Sequence, residues 1–323
     1  MIFKNKEIVK DKPLVSYCLF TYNQEAYVRA SLEAALAQSY SPLEIVVSDD
    51  CSSDGTVSVL REVIAAYTGE HRVVLNVNVT NLGIGAHVSK VMMELSSGDY
   101  MITVGGDDVS FVDHAECALR EIEQEDDVSV VDFSGSIIDG SGQCLQESNA
   151  LPLAVKYVLD DYLRLKSRLQ IFAPGRIVRR RLMDRFGPIA SGCPTEDTVI
   201  MLRALLFGGL RRVPVRVIHY RRPGDSASSG GGLSRMNNRK IIEQYVADIN
   251  RARDLGLIDR NVYACLVWRL KVEHVVRSSF YRFTPRTLIY YVHRLFAKVA
   301  VFAYQICIYS RYSKCQLSLD GDV

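Results

Sequence analysis

Between Leu14 and Val104 the apolar positions switch back and forth between two spacings. Leu14 to Phe20 is a short apolar run that ends in Thr-Tyr-Asn, the pattern of a buried strand entering a turn. Val28, Leu32, Ala35 and Leu36 then fall at i, i+4, i+7 and i+8, one stripe of an amphipathic helix. Leu43 to Val47 reads as a second buried strand and runs into the turn-rich stretch Ser48 to Thr56. Val59, Leu60, Val63, Ile64 and Tyr67 form one face of the helix that follows. Val73 to Val79 predicts a third strand, Ala86 to Leu95 a third helix, and Tyr100 to Val104 a fourth strand closing on Gly105-Gly106-Asp107-Asp108. Strands that alternate with helices in this way call for a parallel sheet with right-handed crossovers.

Further along, the order loosens. A helix is predicted near Phe111 to Glu125, a strand at Val128 to Phe133, a helical stretch at Val155 to Ser167 and an apolar helix at Val199 to Phe207. Val213, Val215 and Val217 alternate within Arg212 to Tyr220, as in a half-exposed strand. Gly230-Gly231-Gly232, beside Ser226 to Ser229, is the best candidate hinge, and from Ser234 onward the pattern is helical. The expected class is α/β: a mostly parallel sheet flanked by helices over residues 1–225, then a helical C-terminal region over 226–323.

At 323 residues and 48% apolar content the chain can bury one large core or two modest ones, which excludes a disordered protein. A net charge of +2 argues against a general polyanion binder, yet the average hides a tail. Val275 to Leu319 holds no Asp or Glu, while Arg277, Arg282, Arg286, Arg294, Lys298, Arg311 and Lys314 are all cationic, so the remainder is net acidic. Aromatic residues from Phe280 to Tyr312 interleave with these cations. Such a segment suits a helix lying on an anionic membrane surface, or a helical bundle packed on the body or on a second subunit, and both stay open. An acidic body argues against nucleic acid as a partner. The eight cysteines show no CxxC pair, so neither a zinc site nor a disulfide framework is indicated. Met1 to Pro13 lacks the apolar core of a signal peptide, and Val299 to Tyr309 is too short for a membrane span. A cytoplasmic, reduced protein is expected, peripheral to the inner face of the membrane if the tail binds it.

Ligands of open parallel sheets sit at the carboxyl ends of the strands. Asp49-Asp50 follows the second predicted strand and Asp107-Asp108 the fourth, so both pairs should face one crevice. Asp after a strand is also ordinary turn chemistry, but two pairs at one edge favour a ligand, with carboxylate oxygens suited to Mg²⁺ or Mn²⁺. A third pair, Glu196-Asp197, opens an apolar helix with Thr195 as its expected cap. Taken alone it reads as an answer to the helix dipole.

In this order the pieces resemble glycosyltransferase family 2, inverting enzymes of the GT-A fold. The resemblance runs from about Pro13 to Pro223: Val15 to Asn23 followed by Glu25 and Tyr27, then Glu44 to Thr56, Asn81-Leu82-Gly83, Ser97 to Tyr100, Asp107-Asp108, Glu196-Asp197 and His219-Tyr220-Arg221. It implies a nucleotide site at Thr21, Tyr22, Asn23, Glu25, Asp49, Asp50 and Asp107, with Tyr22 flanking the base and Asp50 accepting a hydrogen bond from it. It also implies Asp107 and Asp108 as ligands of Mn²⁺ or Mg²⁺, and Asp197 as general base with Glu196 beside it. Many members carry a further Asp where this chain has Gly105, which leaves open which of Asp107 and Asp108 meets the metal.

The implied reaction is a metal-assisted single displacement from a nucleotide-sugar donor, UDP-linked by preference, to a saccharide or lipid-linked acceptor, as in assembly of bacterial surface polysaccharide. Arg221 to Gly232 reads as a lid over the diphosphate or as a linker. His87 reads as an ordinary surface or packing residue, and His219 as a weak phosphate candidate. Two rivals remain: a nucleotidyltransferase, whose Gly-rich phosphate loop is missing from Thr21 to Glu25, and a non-catalytic scaffold on the same fold. Oligomerisation is compatible with the sequence and not specified by it.

Overall fold

The computed structural model describes residues 12–147, 149–164, 169–222 and 236–282, from 272 on as backbone only. The glycine hinge, the Arg221 to Gly232 loop beyond Arg222 and the tail beyond Arg282 lie outside these residues.

The first half follows the strand and helix alternation. In order come β1 (Val15–Thr21), α1 (Val28–Leu36), β2 (Leu43–Asp49), α2 (Thr56–Ala66), β3 (Arg72–Val77) and α3 (Ile84–Lys90), the last extended by a π-helical turn over Val91–Leu95. Then follow β4 (Tyr100–Gly105), β5 (Val109–Ser110), α4 (His114–Ile122) and β6 (Val130–Ile138). The second half holds β7 (Cys144–Gln146), β8 (Val155–Tyr157), α5 (Leu159–Arg164), β9 (Ile177–Arg179), α6 (Arg180–Phe186), α7 (Asp197–Leu206), β10 (Leu210–Arg221), α8 (Asn238–Asp254) and α9 (Arg260–Arg282).

One sheet carries the molecule, in the order β3-β2-β1-β4-β9-β6-β10-β5, with β7 added on β6 and β8 on β10. β3, β2, β1 and β4 are mutually parallel, as are β6 and β10, while β9 runs antiparallel between β4 and β6. Both faces are covered, which is why the first strands read as apolar runs and not as alternations. Val15, Tyr17 and Leu19 face a core shared with α1, α2 and α4. Cys18 faces the other core, built with α3, α6, α7 and the helices that follow.

Three expectations change. Val155 to Tyr157 is a strand, because its backbone pairs with Leu210 to Arg212, and helix begins only at Leu159. β6 runs on past Phe133 to Ile138 because Ser134, Gly135 and Ser136 keep pairing with β10. β10 lies inside the sheet with Val213 and Val217 fully buried, so it is less exposed than its alternation suggested. In the C-terminal region, Ile241, Tyr245 and Ile249 of α8 share a core with Leu182 and Met183 of α6 and Leu202 of α7. The described part of that region is thus continuous with the sheet domain.

Candidate active site

The carboxyl ends of β1, β2 and β4 lie side by side, since β1 pairs with both neighbours in register. At the end of β2, Asp49 is completely buried. It accepts hydrogen bonds from Thr21 Oγ1 (2.9 Å), Ser52 N (2.7 Å) and Ser52 Oγ (2.5 Å), which tie the β1 and β2 loops together. Cys51 then takes a left-handed conformation (φ 66°), turning the chain sharply. Asp50 accepts from Asn78 Nδ2 and Leu82 N on Oδ1 and from Gly83 N on Oδ2, each at 2.9 Å. Asn23, with φ 50°, is held by Ser52 and Ser53, and Glu25 accepts from Gly55 N at 2.9 Å.

Past β4, Asp107 and Asp108 sit over Gly105. A side chain starting at Gly105 would begin 2.9 Å from Asp107 Oδ1 and 3.5 Å from Asp108 Oδ2, so the two carboxylates converge on one small space. Asp108 Oδ1 accepts from Arg221 N at 2.9 Å. Arg221 also donates from Nε to Asp107 O and from Nη1 to Asp139 O and Gly140 O, and its guanidinium lies 4.9 Å from the Tyr27 ring centre. Burial pushes the Asp107 carboxyl up despite Arg221 and Gln24. Asp108 goes well above the ordinary range through burial and the charge of Asp107. Two repelling, oxygen-only ligands of this kind fit a hard divalent cation with open positions for phosphate oxygens. Among the described residues no group of three His, Cys, Asp or Glu gathers to hold a metal, so the pair would supply only part of a coordination shell.

At the start of α7 the cap position belongs to Glu196, not Thr195, and no side chain caps it. Glu196 lines a cavity instead. Burial, the charge of Asp197 and a hydrogen bond to Asp197 raise its carboxyl well above the ordinary range. Beneath this pair, buried Arg176 grips buried Asp132 through Nε (2.9 Å) and Nη2 (3.0 Å) and donates from Nη1 to Asp197 O (2.9 Å). The loop before α7 is held as well. Arg203 pairs with Asp248 and donates to Gly187 O and Pro188 O, and Gln244 accepts from Ala190 N.

Asp50, Asp107, Asp108 and Glu196 line one cavity of about 720 Å³ together with Thr21, Tyr22, Asn23, Tyr27, His87, Tyr220 and Arg221. Asp49, Glu25 and Asp197 are not among its lining residues, and the first two brace the loops. His87 is buried on the wall, bonded to Ser48 Oγ at 2.8 Å, and desolvation lowers its pKa. His219 packs edge-on against Phe111 and is not part of the wall. Arg176, Asp132 and the Arg203–Asp248 pair were missed from the sequence. Their signal was there: a lone charge inside Val128 to Phe133 and another inside Val199 to Phe207, each of which needs a buried partner.

Comparison with known proteins bears on the family and the fold. The chain is 32% identical over 130 residues to the putative glycosyltransferase EpsE of Bacillus subtilis, covering 40% of this chain and 46% of that protein. It is 30% identical over 145 residues to a chondroitin synthase of Escherichia coli, covering 45% and 20%. The matches thus span less than half of those relatives' own lengths. Among solved structures, S. aureus TarS 1-349 aligns with a TM-score of 0.62 at 17% identity, covering 90% of this chain and 80% of that one. The mannosyltransferase PcManGT from Pyrobaculum calidifontis, in complex with GDP-Man and Mn²⁺, aligns at 0.52 and 15%, covering 91% and 85%. These likenesses establish the GT-A-like fold. The family described as Glycosyl transferase family 2 matches residues 16–187, just over half of the chain, from the second residue of β1 through α6, and the chain belongs to that family.

Proposed function

We propose that the chain is an inverting glycosyltransferase that moves a sugar from a nucleotide-diphosphate donor, a UDP-sugar by preference, to a hydroxyl of a glycan or lipid-linked acceptor. The observation that carries this reading is the meeting of Asp50, Asp107–Asp108 and Glu196 on one cavity wall from three separate chain turns. The TarS complex with UDP-GlcNAc and the PcManGT complex with GDP-Man and Mn²⁺ share the fold and support the donor class.

Tyr22, half exposed on the wall, offers a ring face to the base. A carboxylate has about four acceptor positions, so Asp50 keeps one after its three internal bonds. Asp107 and Asp108 would hold Mn²⁺ or Mg²⁺, which when bound neutralises charge on the diphosphate. The acceptor hydroxyl gives its proton to the Glu196–Asp197 pair while its oxygen bonds to the anomeric carbon. The electrons of the breaking bond leave with the diphosphate. Because Glu196 is the member on the wall, the pair acts as a unit, a change from Asp197 acting alone. Residues 275–319 would bring an anionic membrane carrying a lipid-linked acceptor to the site. Among the described residues no helix is long and apolar enough to cross one.

A thermal-shift panel of UDP-, GDP- and dTDP-sugars with and without Mn²⁺ tests the donor reading. Stabilisation by UDP-sugars that depends on Mn²⁺ is expected, with the metal effect lost in Asp107→Asn. No response to any nucleotide would leave a scaffold in its place.

A further inference from the structure

Arg176 does more than satisfy Asp132. That pair uses only one edge of the guanidinium, Nε and Nη2, and Asp132 is steadied separately by Phe172 N at 2.9 Å. The remaining nitrogen, Nη1, is spent on the backbone carbonyl of Asp197, the first residue of α7. The cation therefore sits between one fully buried carboxylate and the acidic pair. Other charges nearby are few. Arg212, reaching in from β10, interacts with both Asp132 and Arg176, and its Nη1 has no partner among the described residues. From the loop before α7 comes the buried Cys193 thiol, with Arg203 of α7 and Asp248 of α8 beyond it as a closed pair. Asp107 and Asp108 line the same cavity.

The charges here balance in one way. Arg176 and Arg212 are positive and Asp132 is negative. The group beneath the pair therefore carries one net positive charge, which one ionised carboxyl of the half-buried pair would balance. A fully protonated pair could not accept a proton from an acceptor hydroxyl. A doubly ionised pair would leave two adjacent, half-buried carboxylates repelling each other.

We propose that Arg176 is a positioning residue for the Glu196–Asp197 pair: it anchors the first turn of α7 through the Asp197 carbonyl and supplies the positive charge that keeps one of the two carboxyl groups ionised and ready for a proton. This rests on the pair being the base.

The test follows the protonated-carboxyl infrared band of the pair as a function of pH, assigned by its loss in Glu196→Gln and Asp197→Asn. Asp132→Asn keeps the shape and frees Arg176 to act on the pair, so the titration moves to lower pH. The double variant Arg176→Met with Asp132→Asn avoids stranding a buried charge and titrates about 1 pH unit or more above Asp132→Asn, the effect of losing a nearby opposite charge. Arg176→Lys keeps the charge and stays close to wild type. A titration at the same pH in all four proteins would overturn the role of Arg176, since a merely structural part would not move it. Failure of the underlying reading looks different: wild-type release of UDP from UDP-GlcNAc or UDP-glucose, with Mn²⁺, by Asp197→Asn and Glu196→Gln would remove the pair as base wherever the band titrates.

Discussion

The acidic pairs at the two ends of this sheet edge look alike in sequence and differ in how they are used. Asp49 and Asp50 each accept three hydrogen bonds from neighbouring loops, and those bonds shape the turn. Asp107 and Asp108 are crowded over Gly105 with few donors, and burial plus mutual repulsion raises both. Glu196 resembles the second case, raised by burial and by the charge of Asp197. A satisfied carboxylate pair organises a site. A frustrated one waits for a cation or a proton, and the difference lies in donor supply more than in position along the strand.

The sharpest way to break this contrast is to neutralise the frustrated side. Asp107→Asn should lower nucleotide-sugar turnover with Mn²⁺ by about a thousandfold, the scale of several kcal/mol of metal assistance. Turnover within tenfold of wild type would show that the pair is not a metal site. Asp197→Asn should cost at least about a hundredfold in kcat with nucleotide affinity kept in calorimetry. On the satisfied side, Asp49→Ala removes the partner of both Ser52 donors and leaves Thr21 Oγ1 only its longer contact to Ser48 O, and denaturant melts should show a loss of about 1–3 kcal/mol.

Asp108→Asn should do the reverse in metal-free protein. A carboxyl raised in the folded state binds its proton more tightly there than when unfolded. Stability therefore falls as pH climbs from the ordinary carboxylate range to the raised value. Removing the charge should restore on the order of 1–3 kcal/mol at neutral pH and flatten that slope. The smallest effect is expected from Gly105→Ala, whose methyl would crowd only the carboxylate end of Asp107 and touch Asp108 Oδ2 at an ordinary 3.5 Å. The carboxylate swings aside at a rotamer cost of about 1 kcal/mol, so Mn²⁺ affinity should change by no more than about tenfold.

Much of the first half was legible because its signals are local. Apolar runs, a helical stripe and clusters of turn residues place β1 to β4 and bring both aspartate turns to one edge. β9 was not legible: three residues, Ile177–Arg179, belong to a sheet only because β4 and β6 flank them. The same holds for Asp132 and Arg176, which are 44 positions apart in sequence and share no period. The choice between Glu196 and Asp197 escaped for another reason. Successive residues at a helix start point about 100° apart, and only the packed register of α7 decides which faces the cavity. Asp132 and Arg203 each left a local trace, a lone charge in an apolar stretch, but neither trace names the partner.

The grip of α8 on Arg203 bears on how this protein can be divided. The family match ends at residue 187, inside the very loop that Arg203, Gln244 and Asp248 hold. A shortened protein cut near residue 225 would strand a buried guanidinium in the core and release the backbone that leads into Glu196. The smallest portable unit for grafting or domain exchange is therefore set by a charge pair, and it extends at least through Asp254.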